Sequence, residues 1–288
     1  MIHSDRRPSG RIDVNGIHLN ATVTGAGPAL LLLHGFTGSG AAWQPFLDAW
    51  RGFTVIAVDL LGHGSSCCPA DPACYRMERC VEDLVVLMDR LGVERTAVLG
   101  YSMGGRVALH LALAAPDRLW ALVLEGASPG IEDASERHAR RQSDEALAAA
   151  IERDGVEAFV SRWEALPLFA SQARLPASVR DKLRRQRLAS DPIGLAGSLR
   201  GLGAGGQDPL WCNLGEIGVP ALIIAGGLDG KYSALARRMA AAMPNARAEV
   251  VAAAGHAVHL EQPEAFAAIV KGFMEECLSR ERPKEVLQ

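Results

Sequence analysis

Ala97-Val98-Leu99-Gly100-Tyr101-Ser102-Met103-Gly104-Gly105 runs from a short apolar stretch straight into a helical pattern that stops before Pro116. The three apolar residues read as a strand buried on both faces. The G-x-S-x-G spacing that follows reads as a tight strand-to-helix turn, with glycines where neighbouring backbone must pass close and a serine on strained backbone at the apex. A helix N-terminus beneath the serine favours negative charge developing beside it. The spacing alone is weak evidence; between a strand and a helix it is strong.

The same solid apolar signature recurs on both sides of this stretch. It appears at residues 29–33, 55–58, 121–124, 221–224 and, more weakly, 248–251. Residues 11–23 alternate around Asn15-Gly16, a pair that predicts a type I′ hairpin. Helical patterns lie between the strands, at about 77–91, 103–115, 233–242 and 263–278. Alternating strands and helices predict an α/β fold with a mostly parallel, doubly wound sheet. The rhythm breaks from about Ser128 to Leu210, a helical, arginine-rich stretch with no strand-like run, and resumes at Val219. About eighty residues of helix inserted after the sixth strand read as a cap over the sheet's C-terminal edge, where such sheets bind ligands. The expected division is a core in two parts, 1–127 and 211–288, with a cap at 128–210.

Composition removes several function classes. With 49% hydrophobic residues the chain has ample material for a core, so it is not disordered. A formal charge of −3 gives no broad basic field, and no nucleic-acid partner is expected. No apolar run approaches the length that spans a bilayer, and the N-terminal stretch through Val14 lacks the apolar segment of a secretory leader; a cytoplasmic protein with no membrane partner is expected. Cys67, Cys68, Cys74 and Cys80 cluster without paired C-x-x-C spacing and read as reduced thiols. Only four of the 30 basic residues are lysine, so an arginine count by itself reports genome composition.

A serine hydroxyl needs a base. His256 follows Gly255 at the end of the 248–251 strand and is the first candidate; His259, three residues on, competes as a pocket or surface group. The imidazole needs an acid to fix its tautomer. Asp229 emerges from the 221–224 strand at the same edge, and Glu125, at the end of the 121–124 strand, is the alternative. Leu33-His34-Gly35-Phe36-Thr37-Gly38 follows the first core strand, where a glycine turn can point the Phe36 N–H inward. With the Met103 N–H it would form an oxyanion hole. Residues 59–66 read as a loop bracing the site. Arg106 falls one helical turn after Ser102 on the same face, so its guanidinium can approach the pocket.

These pieces resemble the α/β-hydrolase superfamily over most of the chain. Gly100–Arg106, Glu125-Gly126-Ala127-Ser128-Pro129-Gly130, Arg137–Asp144 with its R-x-x-S-D pattern, Trp163–Ala170, Gln186-Arg187-Leu188, Leu199–Gly203 with Leu210-Trp211, Asp229–Tyr232 and Gly255–His259 resemble, more narrowly, the menaquinone-pathway 2-succinyl-6-hydroxy-2,4-cyclohexadiene-1-carboxylate synthases. The resemblance implies a Ser102, Asp229 and His256 triad. It also implies substrate contacts from Tyr101, Arg106, Arg140 and Arg187, and a lid residue, Trp163. Arg141 competes with Arg140 by one position of register. The implied substrate is a small-molecule tricarboxylate, and arginine holds carboxylates bidentately. The implied reaction is an elimination of pyruvate with the triad as base, and no metal or organic cofactor. A carboxylesterase or carbon–carbon bond hydrolase would use the same triad, and a ligand receptor on the same fold could retain it.

Overall fold

A computed structural model of the protein describes residues 9–281. Residues 1–8, the first part of the stretch read for a leader, and the tail beyond 281 lie outside the described residues. The hairpin forms as its sequence dictates. Strands β1 (Gly10–Val14) and β2 (Ile17–Thr24) pair antiparallel, turned by Asn15 at φ 45° and Gly16 at φ 85°. Two successive positive φ values are the type I′ signature.

Six further strands complete the sheet: β3 (Ala29–Leu33), β4 (Thr54–Asp59), β5 (Thr96–Tyr101), β6 (Leu119–Glu125), β7 (Ala221–Gly226) and β8 (Ala246–Val251). The order is β1-β2-β4-β3-β5-β6-β7-β8, and every pair from β4 onward is parallel. Helices cover both faces. On one face α1 (Met77–Arg90), α2 (Met103–Ala114) and α6 (Gly230–Ala242) share a core with Leu31, Leu33, Ile56 and Val58, α6 covering β7 and β8. On the other, a 3-10 turn at Gly40–Phe46 and helix α8 (Pro263–Glu281) pack on Leu30, Leu32 and Val55. This is why β3 is a run of leucines: alternate side chains enter two different cores. Each is fully buried, which stabilises the fold by about 1.5–3 kcal/mol per leucine relative to exposure.

The chain leaves β3 toward β4 on one side and returns through β5 on the other. The crevice at the carboxyl ends of β3 and β5 is therefore the topological switch point, the place where such sheets bind ligands. Between β6 and β7 lie only helices: α3 (Ala134–Glu164), a 3-10 segment at Pro167–Arg174, α4 (Ala177–Leu188) and α5 (Pro192–Leu202). Asp133 caps α3 and Asp191 caps α5, each carboxylate accepting an N–H from the first turn. The sequence reads α3 as helical throughout. The structure breaks it at Gly155, whose φ of 83° and ψ of 170° suit glycine alone. α6 starts three residues before its expected start because Asp229 caps it, accepting from the Tyr232 N–H at 3.1 Å.

Candidate active site

Ser102 sits between β5 and α2 with φ 52° and ψ −105°, a strained conformation for a residue with a side chain. The neighbouring glycines make the turn sterically possible. A Cβ on Gly104 would lie 2.4 Å from the Leu33 carbonyl oxygen, and one on Gly100 would lie 2.3 Å from that of Gly104. The serine's N–H donates to the Glu125 carbonyl at 2.8 Å, tying the turn to β6.

His256 comes from the loop after β8 and is 2% exposed. Its Nε2 lies 3.0 Å from Ser102 Oγ, and its Nδ1 lies 3.0 Å from Asp229 Oδ2. Burial pushes the Asp229 carboxyl up. The His256 hydrogen bond, the Tyr232 N–H and the Lys231 charge outweigh it, so the group sits below the usual aspartate value. An ionised carboxylate at Nδ1 requires the proton there. Nε2 then accepts from the Ser102 hydroxyl, the arrangement a general base needs.

The expected competitors pair with each other. Glu125 is fully buried, and both its oxygens lie 2.9 Å from Nδ1 of His259, which is 4% exposed. His259 is therefore no surface group, and Glu125 does not contact the imidazole beside Ser102.

The turn after β3 runs alongside the serine. A Cβ on Gly35 would reach 2.7 Å from the Tyr101 ring and 3.5 Å from Ser102 Cβ, and the next residue, Phe36, lines the same cavity as Ser102. Met103 opens α2, where the first N–H groups have no acceptor within the helix. Two histidines support this turn. His34 Nδ1 donates to the Gly35 carbonyl at 2.8 Å, while its Nε2 accepts from the Leu60 N–H at 3.0 Å. His63 Nδ1 donates to the Leu61 carbonyl at 3.1 Å, and its ring lies 5.0 Å from that of His34. Asp59 accepts from the backbone N–H groups of Gly40 and Ser65. The loop at 59–66 thus has the bracing geometry expected of it.

Ser102 opens into a cavity of about 470 Å³ whose lining includes Phe36, Tyr101, Met103, Arg106, Arg140 and Trp163. Arg106 is its most informative group. Burial pushes the guanidinium down to about 10, so it stays charged at neutral pH, and its buried Nη1 has no hydrogen-bond partner. Arg140 reaches the same cavity, with its Nε fixed by Asp144 at 2.8 Å. Arg141 instead donates to the Gly205 carbonyl, which separates the two registers left open by the sequence.

Arg187 departs from the expected arrangement. It lines a second cavity of about 370 Å³, separated from the first by a wall of Phe36, Tyr101, Trp163 and Phe169 that both cavities share. Its Nη1 bonds Glu164 at 3.0 Å, and its guanidinium lies 5.6 Å over the Phe169 ring. The segment at 167–174 carries Phe169 between α4 and the serine, and that path is tertiary information.

Several lining residues escaped the sequence reading, Tyr232 and Arg162 among them. Tyr232 lies edge-on to the His256 ring at 4.4 Å. Its signal was its place three residues after a helix-capping aspartate. Arg162 also lines the first cavity, hidden in sequence by the density of arginines around it.

Cys67, Cys68, Cys74 and Cys80 are free thiols. Among the described residues, no His/Cys/Asp/Glu group is placed to hold a metal, and no helix is long and apolar enough to cross a membrane.

Residues 28–263 match the family model of the alpha/beta hydrolase fold. A putative 2-succinyl-6-hydroxy-2,4-cyclohexadiene-1-carboxylate synthase of Bacillus subtilis (strain 168) is 43% identical over 249 residues, 86% of this chain and 91% of that protein. The synthase of that name from Serratia proteamaculans (strain 568) is 31% identical over 86% of this chain and 93% of its own length. The solved structure of MenH from S. aureus superposes with a TM-score of 0.87 at 34% identity, covering 90% of this chain and 98% of that one. The chain belongs to the alpha/beta hydrolase fold family and, within it, to the 2-succinyl-6-hydroxy-2,4-cyclohexadiene-1-carboxylate synthases.

Proposed function

We propose that this protein is a cytoplasmic lyase of menaquinone biosynthesis. It eliminates pyruvate from 2-succinyl-5-enolpyruvyl-6-hydroxy-3-cyclohexene-1-carboxylate to give 2-succinyl-6-hydroxy-2,4-cyclohexadiene-1-carboxylate. The observation that carries the reading is the unpartnered guanidinium nitrogen of Arg106, buried in the cavity that Ser102 opens into. A buried donor without a partner is costly, and a substrate carboxylate supplies the acceptor. An ester pocket has no use for it.

The ring proton α to the succinyl ketone is the acidic one. The Ser102 hydroxyl, held 3.0 Å from His256 Nε2, passes its proton to the imidazole as its oxygen takes that ring proton. Asp229 steadies the imidazolium. The freed electron pair forms C2=C3, the existing C3=C4 bond shifts to C4=C5, and the C5–O bond breaks. Enolpyruvate leaves and takes up a proton to become pyruvate. Negative charge developing on the succinyl oxygen meets the Phe36 and Met103 N–H groups and the positive end of α2. Arg106 and Arg140 hold carboxylates, while Tyr101 and Trp163 wall the ring. The helices of 128–210 act as a cap that excludes water between the two parts of the core.

Arg106→Ala tests the assignment. The kcat/KM for pyruvate release falls about tenfold to a hundredfold, the cost of an unpaired carboxylate in a closed site. Hydrolysis of a small neutral 4-nitrophenyl ester is unaffected. A protein that turns over such esters rapidly, releases no pyruvate and is indifferent to Arg106→Ala is a carboxylesterase instead.

A further inference from the structure

Of the two carboxylates and two imidazoles that the sequence offers as partners for Ser102, the proposed chemistry uses one of each. The other two bind each other. Glu125 ends β6, and His259 lies in the short helix α7 (Val258–Glu261) that follows the His256 loop. Glu125 Oε1 accepts the His259 backbone N–H at 2.9 Å, and both carboxylate oxygens take up the ring Nδ1–H at 2.9 Å. A buried carboxylate–imidazole pair is poor evidence of stabilisation, since well-packed apolar side chains of similar size often serve stability as well or better. Its contacts suggest another use.

The Glu125 carbonyl accepts the Ser102 N–H. The next residue, Gly126, has φ 55°, and a Cβ there would stand 3.0 Å from His256 Cε1 and 3.0 Å from the His256 carbonyl oxygen. Tyr101, which precedes the serine, lies edge-on to His259 at 4.7 Å and tilted to His256 at 5.6 Å. The end of β6 therefore touches the serine through its backbone, the working histidine through Gly126, and the helix after that histidine through a side chain.

We infer that Glu125 and His259 are positioning residues. The pair clamps the His256 loop to the end of β6 and so sets the Ser102–His256 distance, while His259 holds the Tyr101 ring in place. Displacing reacting groups by about 1 Å costs on the order of a hundredfold in rate. Carboxylate binding at Arg106 and Arg140 does not pass through the pair, so its loss acts mainly on kcat, KM moving only through the Tyr101 wall. The inference rests on Ser102 and His256 being the working pair and not on which substrate they serve.

The test compares Glu125→Leu/His259→Leu with Glu125→Gln. The double variant replaces both polar groups with apolar ones of similar bulk. It should melt near the wild-type temperature, as packing alone allows. The rate at which a fluorophosphonate probe labels its Ser102 and its kcat should each fall by about tenfold or more, with KM within about twofold. Glu125→Gln keeps an acceptor for both His259 N–H groups and stays within about threefold of wild type. Where the double variant does not accumulate, His259→Asn, which can still bond Glu125 but leaves the Tyr101 ring unsupported, shows the same loss. A folded double variant that labels and turns over like wild type overturns the inference. So does a Gln variant as impaired as the double variant, a loss confined to KM, or, where it is the variant read, a His259→Asn protein with unchanged rates. The probe needs no natural substrate. Wild-type protein that labels but releases no pyruvate removes the proposed activity and leaves this inference tested.

Discussion

Ser102 shows how much local structure one side chain can require. Its hydroxyl is useful only on backbone that ordinary residues avoid, and that backbone exists because glycines at 100 and 104 let three chain segments touch. The turn opposite depends on protonation as well as shape. His34 and His63 each donate from Nδ1 to a carbonyl, and both are buried with their basicity reduced, chiefly by burial; His63 falls to about 3. The unfolded chain takes up a proton at His63 near the ordinary histidine value of 6.5, and the folded protein does not until about 3. The unfolded state therefore binds more protons between these limits. Stability is full above pH 6.5 and falls as pH drops toward 3. One such histidine contributes about 1.4 kcal/mol per pH unit in that window, so about 2 kcal/mol is lost between pH 6.5 and 5. Urea midpoints measured across this range should show that slope, reduced by about one proton in His63→Asn. Equal slopes for the two proteins would show that His63 is not buried neutral.

At the scale of elements, the helices between β6 and β7 combine a core of their own with tight seams to the sheet. Ala148, Ile151, Phe159 and Val160 of α3 pack on Leu195, Ala196 and Leu199 of α5. α5 meets the core backbone to backbone. A Cβ on Gly201 would lie 2.2 Å from the Tyr75 carbonyl oxygen, and one on Gly194 would lie 2.3 Å from that of Gly62. Glu261 supplies a further tie, accepting from Ser171 Oγ at 3.0 Å and from the Gly255 N–H at 2.8 Å, beside His256. Gly201→Ala should cost about 1–3 kcal/mol by overpacking. Tm should fall by roughly 2–4 °C per kcal/mol. A variant that melts with wild type would mean that α5 is only loosely seated. The buried strands were legible because solid runs such as Leu30–Leu33 admit few other readings. The kink at Gly155 was not, because glycine is tolerated inside helices and the helical pattern continues on both sides of it. The meeting of Ser102, His256 and Asp229 was legible because each follows a strand end. The compartment of Arg187 was not, because it depends on where the 167–174 segment carries Phe169, and no local spacing encodes that path.

Taken as a whole, the molecule places a cationic site in an acidic protein. A formal charge of −3 offers the proposed trianion no overall attraction, so recognition has to come from local cations, the buried Arg106 and the more exposed Arg140, in one cavity at the switch point of the sheet. Hydrolases built on this fold share the triad; the proposed distinction lies in what surrounds it. The most direct measurement follows pyruvate release under single-turnover conditions, with substrate generated in place by the preceding pathway enzyme, for the wild-type protein and for Ser102→Ala. Wild-type protein should accelerate release, and Ser102→Ala should lower the rate by about a thousandfold or more. Equal rates for the two proteins, or no acceleration by the wild type, would contradict the account.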